Sequence, residues 1–461
     1  MSNASMRAKF LLALAMLGLS AAAAAEVPAP AEPAGQREIA DAISADELKA
    51  TITKLVGLGT RHTLSDTKSD KRGIGAARRW AQARFAAISR DCGGCLEIVT
   101  PSQTFTGKRV PAPTEVMDIV AIQRGSGDAK RVVVITGHLD SRVTDVMNVT
   151  SDAPGANDDG SGTSVVIEAA RVLSKHKFKA TIVYGVLSGE EQGLYGGKVL
   201  ADYAKAQGWR VETDLNNDIV GNTHGQDGVN DNTTVRVFSE GTKSVETAEQ
   251  AKDRRYHGGE IDSPSRNVAR FMADIADRQL TNFRVRMVYR TDRYGRGGDQ
   301  VPFLEAGYPA VRVTEAHENY TRQHQDLRTE NGIRYGDTID GVDFAYLAQV
   351  ARLNALTLAA LAAAPAPPAG VDIEGAVASD TTIHWQPVEG AAGYRVWWRD
   401  TLSPQWQHSR WVGDATKITL KDIVVDDAFF GVSAVSADGF ASPIVFAGTA
   451  GSFASEAAAK P

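Results

Sequence analysis

The sequence predicts an α/β fold, a mostly parallel mixed sheet flanked by helices, followed by a smaller all-β sandwich. Three features carry this prediction. "RVVVITGHLD" (131–140) and "KATIVYGVLSGEE" (179–191) are continuous β-branched runs, the pattern of strands covered on both faces. Between them, "SGTSVVIEAARVLSKH" (161–176) has helical spacing after a Ser/Gly start, which makes a strand, helix, strand unit. Beyond Leu361 the texture changes: "TTIHWQPVEGAAGYRVWWRD" and "FFGVSAVSADGFASP" alternate with the period of strands and are punctuated by Gly, Pro and Asp.

Taken in chain order, "MSNAS" resembles a cloning-tag remnant ahead of a natural start at Met6. "MRAKFLLALAMLGLSAAAAAEVPAP" then supplies the basic start, apolar core and small-residue cleavage region of an export signal ending near Ala25. Its apolar part is short for a membrane span, so the expectation is an exported chain, periplasmic or secreted, with no membrane anchor. Residues from Ile39 to Ala86 read as helical in "ISADELKATITKLVGL" and "GAARRWAQARFAAI". The only cysteines, Cys92 and Cys95, stand in "DCGGC". With no second pair to complete a four-cysteine metal site and export expected, a small-loop disulfide is the preferred state. After the strand, helix, strand unit come a helix around "SRNVARFMADIADRQ" and a strand at "YPAVRVTEA" (308–316). "LAAAPAPPAG" is a semi-rigid linker. The boundaries that follow are 1–25 for tag and leader, 38–362 for the first domain, 363–370 for the linker and 371–450 for the sandwich.

The formal net charge of −6 becomes −8 without the leader's Arg7 and Lys9, which argues against nucleic acid or an anionic membrane as partner. The acidic groups are instead concentrated where an open α/β sheet builds its sites, beyond the carboxyl ends of strands. His138 and Asp140 close one strand and, two residues apart, face the same side. Asp158 lies in "GANDDGSG", a turn leading into a helix. Glu190 and Glu191 end the next strand, and Asp218 closes "DLNNDIVGN". Each motif alone is commonplace; an ordered set of carboxylates and imidazoles at successive strand ends is what a divalent-cation site needs.

The order and approximate spacing of "GHLDS", "GANDDGSGTS", "SGEEQGLYGG", "LNNDIVGN" and "ENYTRQHQD" resemble those of the two-zinc aminopeptidases and carboxypeptidases that include bacterial leucine-type aminopeptidases and glutamate carboxypeptidase relatives, over residues 40–360. The resemblance implies a zinc exopeptidase fold with two Zn²⁺ per chain: His138 and Asp218 on one ion, Glu191 and His324 on the other, Asp158 bridging. It also implies that Glu190 is the general base and that Asp140 orients His138. Two such ions share an anionic bridge and clamp a hydroxide between them, so no protein nucleophile is needed. His324 is preferred over His317 because "ENYTRQHQD" fits the family's last motif; His317 is read as supporting the ligands from outside or as structural, and His62, His176, His224, His257, His384 and His408 as structural or surface groups. By the same resemblance Tyr294, Arg296 and Asp299 border the substrate cleft, with a purely structural loop as the alternative reading. The expected activity is removal of N-terminal residues from peptide substrates, with a carboxypeptidase, a deacylase or a non-catalytic binding protein as alternatives. The last ~80 residues resemble a fibronectin type III domain. Five of the seven tryptophans lie there (385, 397, 398, 406 and 411), more than a sandwich core needs. They are read as packing and interdomain contact in preference to binding sugar or cell wall.

Overall fold

The computed structural model describes residues 28–31 and 33–453, so the expected leader lies outside the described residues. Three helices come first: α1 (Gln36–Asp41), α2 (Ala45–Val56) and α3 (Gly73–Asp91). The helical stretch expected from 39 to 86 is thus broken over residues 57–72, a loop held by its own polar bonds. Ser44 caps α2, its side chain accepting from the Glu47 N–H. The Cys92–Cys95 disulfide closes the turn after α3.

The remainder of the first domain alternates. It comprises β1 (Leu96–Val99), the hairpin β2 (Ser102–Gly107) and β3 (Val110–Met117), β4 (Ile119–Gln123), β5 (Arg131–His138), α4 (Gly160–Leu173), β6 (Thr181–Leu187), α5 (Glu190–Gly193), α6 (Tyr195–Ala206) and β7 (Arg210–Asn217). It continues through β8 (Thr234–Phe238), α7 (Ala248–His257), α8 (Pro264–Gln279), β9 (Arg284–Val288), α9 (Gln300–Glu305), β10 (Ala310–Glu315), the hairpin β11 (Arg328–Glu330) and β12 (Ile333–Tyr335), and α10 (Phe344–Ala363). Eight strands form one sheet in the order β1-β4-β6-β5-β7-β10-β8-β9. The central pairs β6-β5, β5-β7 and β7-β10 are parallel, as is β8-β9, whereas β1-β4, β4-β6 and β10-β8 are antiparallel.

Continuous apolar runs are explained by burial on both faces. Val133 and Ile135 of β5 face a layer that includes α2, α4, α8 and α10, while Val132 and Val134 face α6 and α9. Each such fully buried aliphatic side chain contributes roughly 1.5–3 kcal/mol. Two glycines let α4 settle directly on the strand ends. A Cβ on Gly162 would lie 2.0 Å from the Asn217 carbonyl oxygen, and one on Gly137 would lie 2.6 Å from the Gly162 carbonyl carbon.

After α10 the chain forms β13 (Asp372–Glu374), β14 (Thr381–His384), β15 (Gly393–Asp400), β16 (His408–Trp411), β17 (Lys417–Leu420), β18 (Ala428–Val435) and β19 (Val445–Phe446). They pair antiparallel as two sheets, β13-β14-β17 and β16-β15-β18-β19. Trp385 packs edge-on against Tyr394 in their core. Trp406 faces the other domain, donating to Asn267 Oδ1 at 3.2 Å. Beside it, buried Arg399 holds both carboxylate oxygens of Asp262 at 2.9 and 2.8 Å, and Arg270 adds a third bond at 2.8 Å.

Candidate metal centre

The register of β5 against β7 pairs Thr136 with Asn216, so two residues further along His138 and Asp218 become lateral neighbours at the carboxyl edge of the sheet. His138 ends β5 and Asp218 follows β7, as the sequence leads one to expect. The paired glutamates do not end a strand. β6 stops at Leu187, Gly189 turns the chain at φ 80°, and Glu190 and Glu191 open the short helix α5. A left-handed glycine makes that reversal without a steric penalty. It leaves the amides of both glutamates unpaired within the helix, and the Asp140 carboxylate accepts from them at 3.3 and 3.2 Å.

Five predicted ligands converge. His138 Nε2 lies 3.2 Å from Asp158 Oδ1 and 3.7 Å from Asp218 Oδ1. His324 Nε2 lies 2.9 Å from Asp158 Oδ2 and 3.0 Å from Glu191 Oε1. The result is two donor triads, His138/Asp158/Asp218 and Asp158/Glu191/His324, each with its ligand atoms within 4.8 Å of one another. Asp158 belongs to both, turning one oxygen to each. His138 Nε2, Asp218 Oδ1 and Glu191 Oε1 are buried with no hydrogen-bond partner among the described residues. Buried polar atoms left without partners in a converging set of nitrogen and carboxylate oxygen donors fit zinc. Among the described residues both cysteines are taken up by the disulfide, so thiolate ligation is excluded.

The surroundings hold these atoms in place. Asp159 caps α4 through the Gly162 N–H at 2.9 Å and also accepts from the backbone amides of His138 at 2.9 Å and Ile219 at 3.3 Å. It thereby ties helix α4 to the ends of β5 and β7. Asp337 accepts from the amides of Asn157 and Asp158, the latter at 2.7 Å, fixing the bridging loop. Buried Arg61 donates to the carbonyls of Leu55, Leu139, Pro154 and Gly155. Arg312 holds Asp218 Oδ2 at 2.5 Å, and Arg142 holds Glu191 Oε2 at 2.8 Å. Sequence reasoning missed all of these. Only Asp159 left a local trace, as an acid directly before the Gly-Ser-Gly helix start, where a cap is expected.

Electrostatically the centre is a well of negative potential. Burial alone would lower the His138 pKa, but Asp140, Asp158 and Asp218 raise it well above its ordinary value. His324, half-buried, is pushed up to about 10 by Glu191 and Asp158 against the lowering effect of desolvation. Burial first, then Asp218, Glu191 and Asp299, pushes Glu190 well above the usual carboxylate range despite the opposing effect of His138. A pocket that binds protons this strongly suits divalent cations, whose uptake displaces them.

Asp140 has a different emphasis from the one expected. His138 Nδ1 is 3.1 Å from the Asp140 backbone oxygen and 3.6 Å from its carboxylate. That carboxylate is engaged at shorter range by Thr63 Oγ1 at 2.8 Å and by the two α5 amides. His317 pairs with Asp227 at 2.7 Å, outside both triads. His62 is buried against the Val146 carbonyl, and His257 pairs with Asp253. Of the residues expected to border a cleft, Tyr294 is 87 % exposed, Arg296 pairs with Glu318 at 2.9 Å, and Asp299 is buried, its Oδ1 accepting from the Gly197 N–H.

Comparison with known proteins agrees with this geometry. The model of Peptidase family M28 matches residues 118–338, a span that contains all five converging residues. A probable zinc metalloprotease of Leptosphaeria maculans is 46 % identical over 90 % of this chain and 97 % of its own length. A probable zinc metalloprotease of Pyricularia oryzae is 40 % identical over 92 % of this chain and 89 % of its own. Among solved structures, the LapA aminopeptidase of Legionella pneumophila superposes with a TM-score of 0.51 at 20 % identity, over 71 % of this chain and 72 % of that one, a likeness of fold.

Proposed function

Because the chain belongs to peptidase family M28 and is a zinc metallopeptidase, we propose that it is an exported dinuclear exopeptidase that removes N-terminal residues from peptides. The observation that carries the two-ion reading is Asp158, whose Oδ1 faces the His138/Asp218 half and whose Oδ2 faces the Glu191/His324 half. When bound, zinc supplies Lewis acidity, polarising a scissile carbonyl and making water acidic enough to attack near neutral pH.

The chain's own residues supply the rest. Glu190 belongs to neither triad while its neighbour Glu191 belongs to one, so the Glu190 carboxylate is the group left to take the proton of the attacking water and return it to the leaving amine. Asp140 fixes Glu190 and Glu191 through their amides, and Asp159 fixes His138 and the Asp218 turn. A periplasmic or secreted location is supported by the leader-like N-terminus and by the Cys92–Cys95 disulfide. The three-plus-four antiparallel sheets support a fibronectin type III-like reading of the C-terminal domain, and the buried Arg399–Asp262 pair supports a role in interdomain packing.

The test is digestion of a peptide library read by mass spectrometry, alongside metal analysis of the same protein. Loss of single N-terminal residues with two zinc ions per chain is expected. Shortening from the carboxyl end would make it a carboxypeptidase, and no cleavage with both ions present would make it a binding protein.

A further inference from the structure

The end of the C-terminal domain, at Phe453, closes a cavity of about 210 Å³ against the first domain. The cavity lies across the main sheet from the metal centre. Its wall includes Tyr308 and Pro309, directly before β10, and β10 then runs six residues, about 20 Å, toward the edge that carries Asp218. Val245, Leu304, Tyr308 and Phe453 give it apolar walls, and it is smaller than the roughly 300–1,000 Å³ of a drug-sized site. A compact, partly apolar guest is what it can hold.

Its polar groups are few. Glu240 is 6 % exposed; its Oε2 accepts from the Ser244 N–H and hydroxyl at 2.9 and 2.7 Å, and no hydrogen bond reaches its Oε1 among the described residues. Ser265 stands in the first turn of α8, and its Oγ accepts from the Ala310 N–H at 3.1 Å, which leaves the hydroxyl proton to donate. Lys243, held to the Thr449 carbonyl at 3.0 Å, brings positive charge, as do the nearby buried Arg266 and the amino end of α8. Burial nevertheless raises the Glu240 carboxyl to about 7 against both cations, so neither is close enough to neutralise it.

Charge decides the guest. A bare ammonium would be drawn to Glu240 but repelled by Lys243, Arg266 and the amino end of α8; a bare carboxylate would be drawn to those groups but repelled by Glu240. A small molecule that carries both charges meets both demands. We propose that this cavity is a non-catalytic binding site for a free amino acid with a compact apolar side chain. Its ammonium donates to Glu240 Oε1, its carboxylate accepts from the Ser265 hydroxyl in the field of Lys243, and its side chain lies among Val245, Leu304, Tyr308 and Phe453. A free amino acid is also the product of the exopeptidase reaction proposed above, but the site does not depend on that reaction, because the metal centre lies at the other edge of the sheet.

The experiment is calorimetric titration of the chelator-treated full-length protein with L-leucine, so that no zinc is left to hold it. One equivalent is expected to bind at pH 8. The amine 3-methylbutylamine, which lacks the carboxylate, and 4-methylpentanoate, which lacks the ammonium, should each bind roughly 10–100-fold more weakly for the loss of one charge-assisted contact. Leucine keeps both charges between pH 8 and 5.5 while the Glu240 carboxyl, at about 7, takes up a proton, so affinity should fall roughly 30-fold over that range. Glu240→Gln should weaken leucine binding by a similar factor and flatten its pH dependence. Val245→Trp, at an exposed position, should fill the cavity and abolish binding without unfolding the chain. Absence of leucine binding overturns the proposal, as does binding that either substitution leaves unchanged or that either analogue matches. Binding seen only after zinc is restored places leucine at the metal centre and overturns it equally.

Discussion

Replacing Glu190 by Gln should separate two neighbouring carboxylates that composition alone cannot tell apart. Glu191 Oε1 lies in a donor triad and its Oε2 is held by Arg142 at 2.8 Å, whereas Glu190 is in neither triad. Glu190→Gln should therefore keep both ions. The backbone bond from the residue 190 amide to Asp140, at 3.3 Å, does not involve the side chain, so α5 should stay in place. What is lost is the proposed proton acceptor for the attacking water. Loss of a positioned general base costs about 10²–10⁴ in rate. That is about 3–5 kcal/mol of barrier. Glu191→Gln, by contrast, breaks the contacts to both Arg142 and His324 and should lower the ion content. The assay is hydrolysis of an aminoacyl-p-nitroanilide, with metal content measured on the same preparations. Glu190→Gln protein that retains both ions and more than a tenth of wild-type kcat would refute the assignment. Loss of rate with full metal content in Glu191→Gln would mean that the two glutamates have exchanged roles.

Asp158→Asn should reduce metal content in both halves at once, since each oxygen serves one triad; elemental analysis showing one ion retained at full affinity would contradict the bridge. His324→Ala should lose one ion and His317→Ala none, because His317 is bound to Asp227 away from both triads. Arg399→Met removes a fully buried partner of Asp262 but leaves Arg270, so the cost should fall near the low end of the range for broken buried pairs, about 3 kcal/mol. If the chain melts as one unit, calorimetry should then show a fall of roughly 3 °C. Burial raises the Glu240 carboxyl from 4.5 to about 7 despite its bonds to Ser244. The folded state then keeps its proton while the unfolded chain ionises, so this group lowers stability as pH climbs from 4.5 to 7 and has a constant effect above that. Glu240→Gln should match wild type in melts near pH 4.5 and be more stable by about 3 kcal/mol at pH 8.

The central strands and the crossover helix were legible because each is signalled locally, whereas the five converging residues were picked out by the order of their motifs. Runs such as "RVVVITGH" announce strands buried on both faces, and a parallel sheet gathers its polar strand ends along one edge. Assignment of roles within "GEE" and "NDD" required the motif order of a family, because adjacent carboxylates have identical local patterns. The helical setting of Glu190 and Glu191 was missed because the run "TIVYGVLSGEE" carries its apolar pattern up to a single glycine, and only the left-handed turn at Gly189 shows that the strand has ended. The supports were invisible for a different reason. Arg312 is 94 residues from Asp218, and Asp337 is 179 from Asp158. No periodicity or turn chemistry links positions so far apart.

Those supports answer a problem that the sequence poses without resolving. Asp140, Asp158, Asp159, Glu191, Asp218 and Asp299 are all buried in or beside one pocket, and unpaired charges there would oppose folding strongly. The structure disposes of them by direction. Asp140, Asp159 and Asp299 accept backbone N–H bonds, which solvate their charge without bringing a cation close. Asp218 and Glu191 turn their outer oxygens to Arg312 and Arg142. What remains facing inward is His138 Nε2, Asp218 Oδ1 and Glu191 Oε1, each without a hydrogen-bond partner among the described residues, together with the two oxygens of Asp158 against the imidazoles. Each outer bond removes a competing way of satisfying an acid and leaves one lone pair aimed at the centre. The arginines therefore do more than balance charge: by occupying the outer atoms, they decide which atoms of an acidic strand-end cluster can serve as ligands.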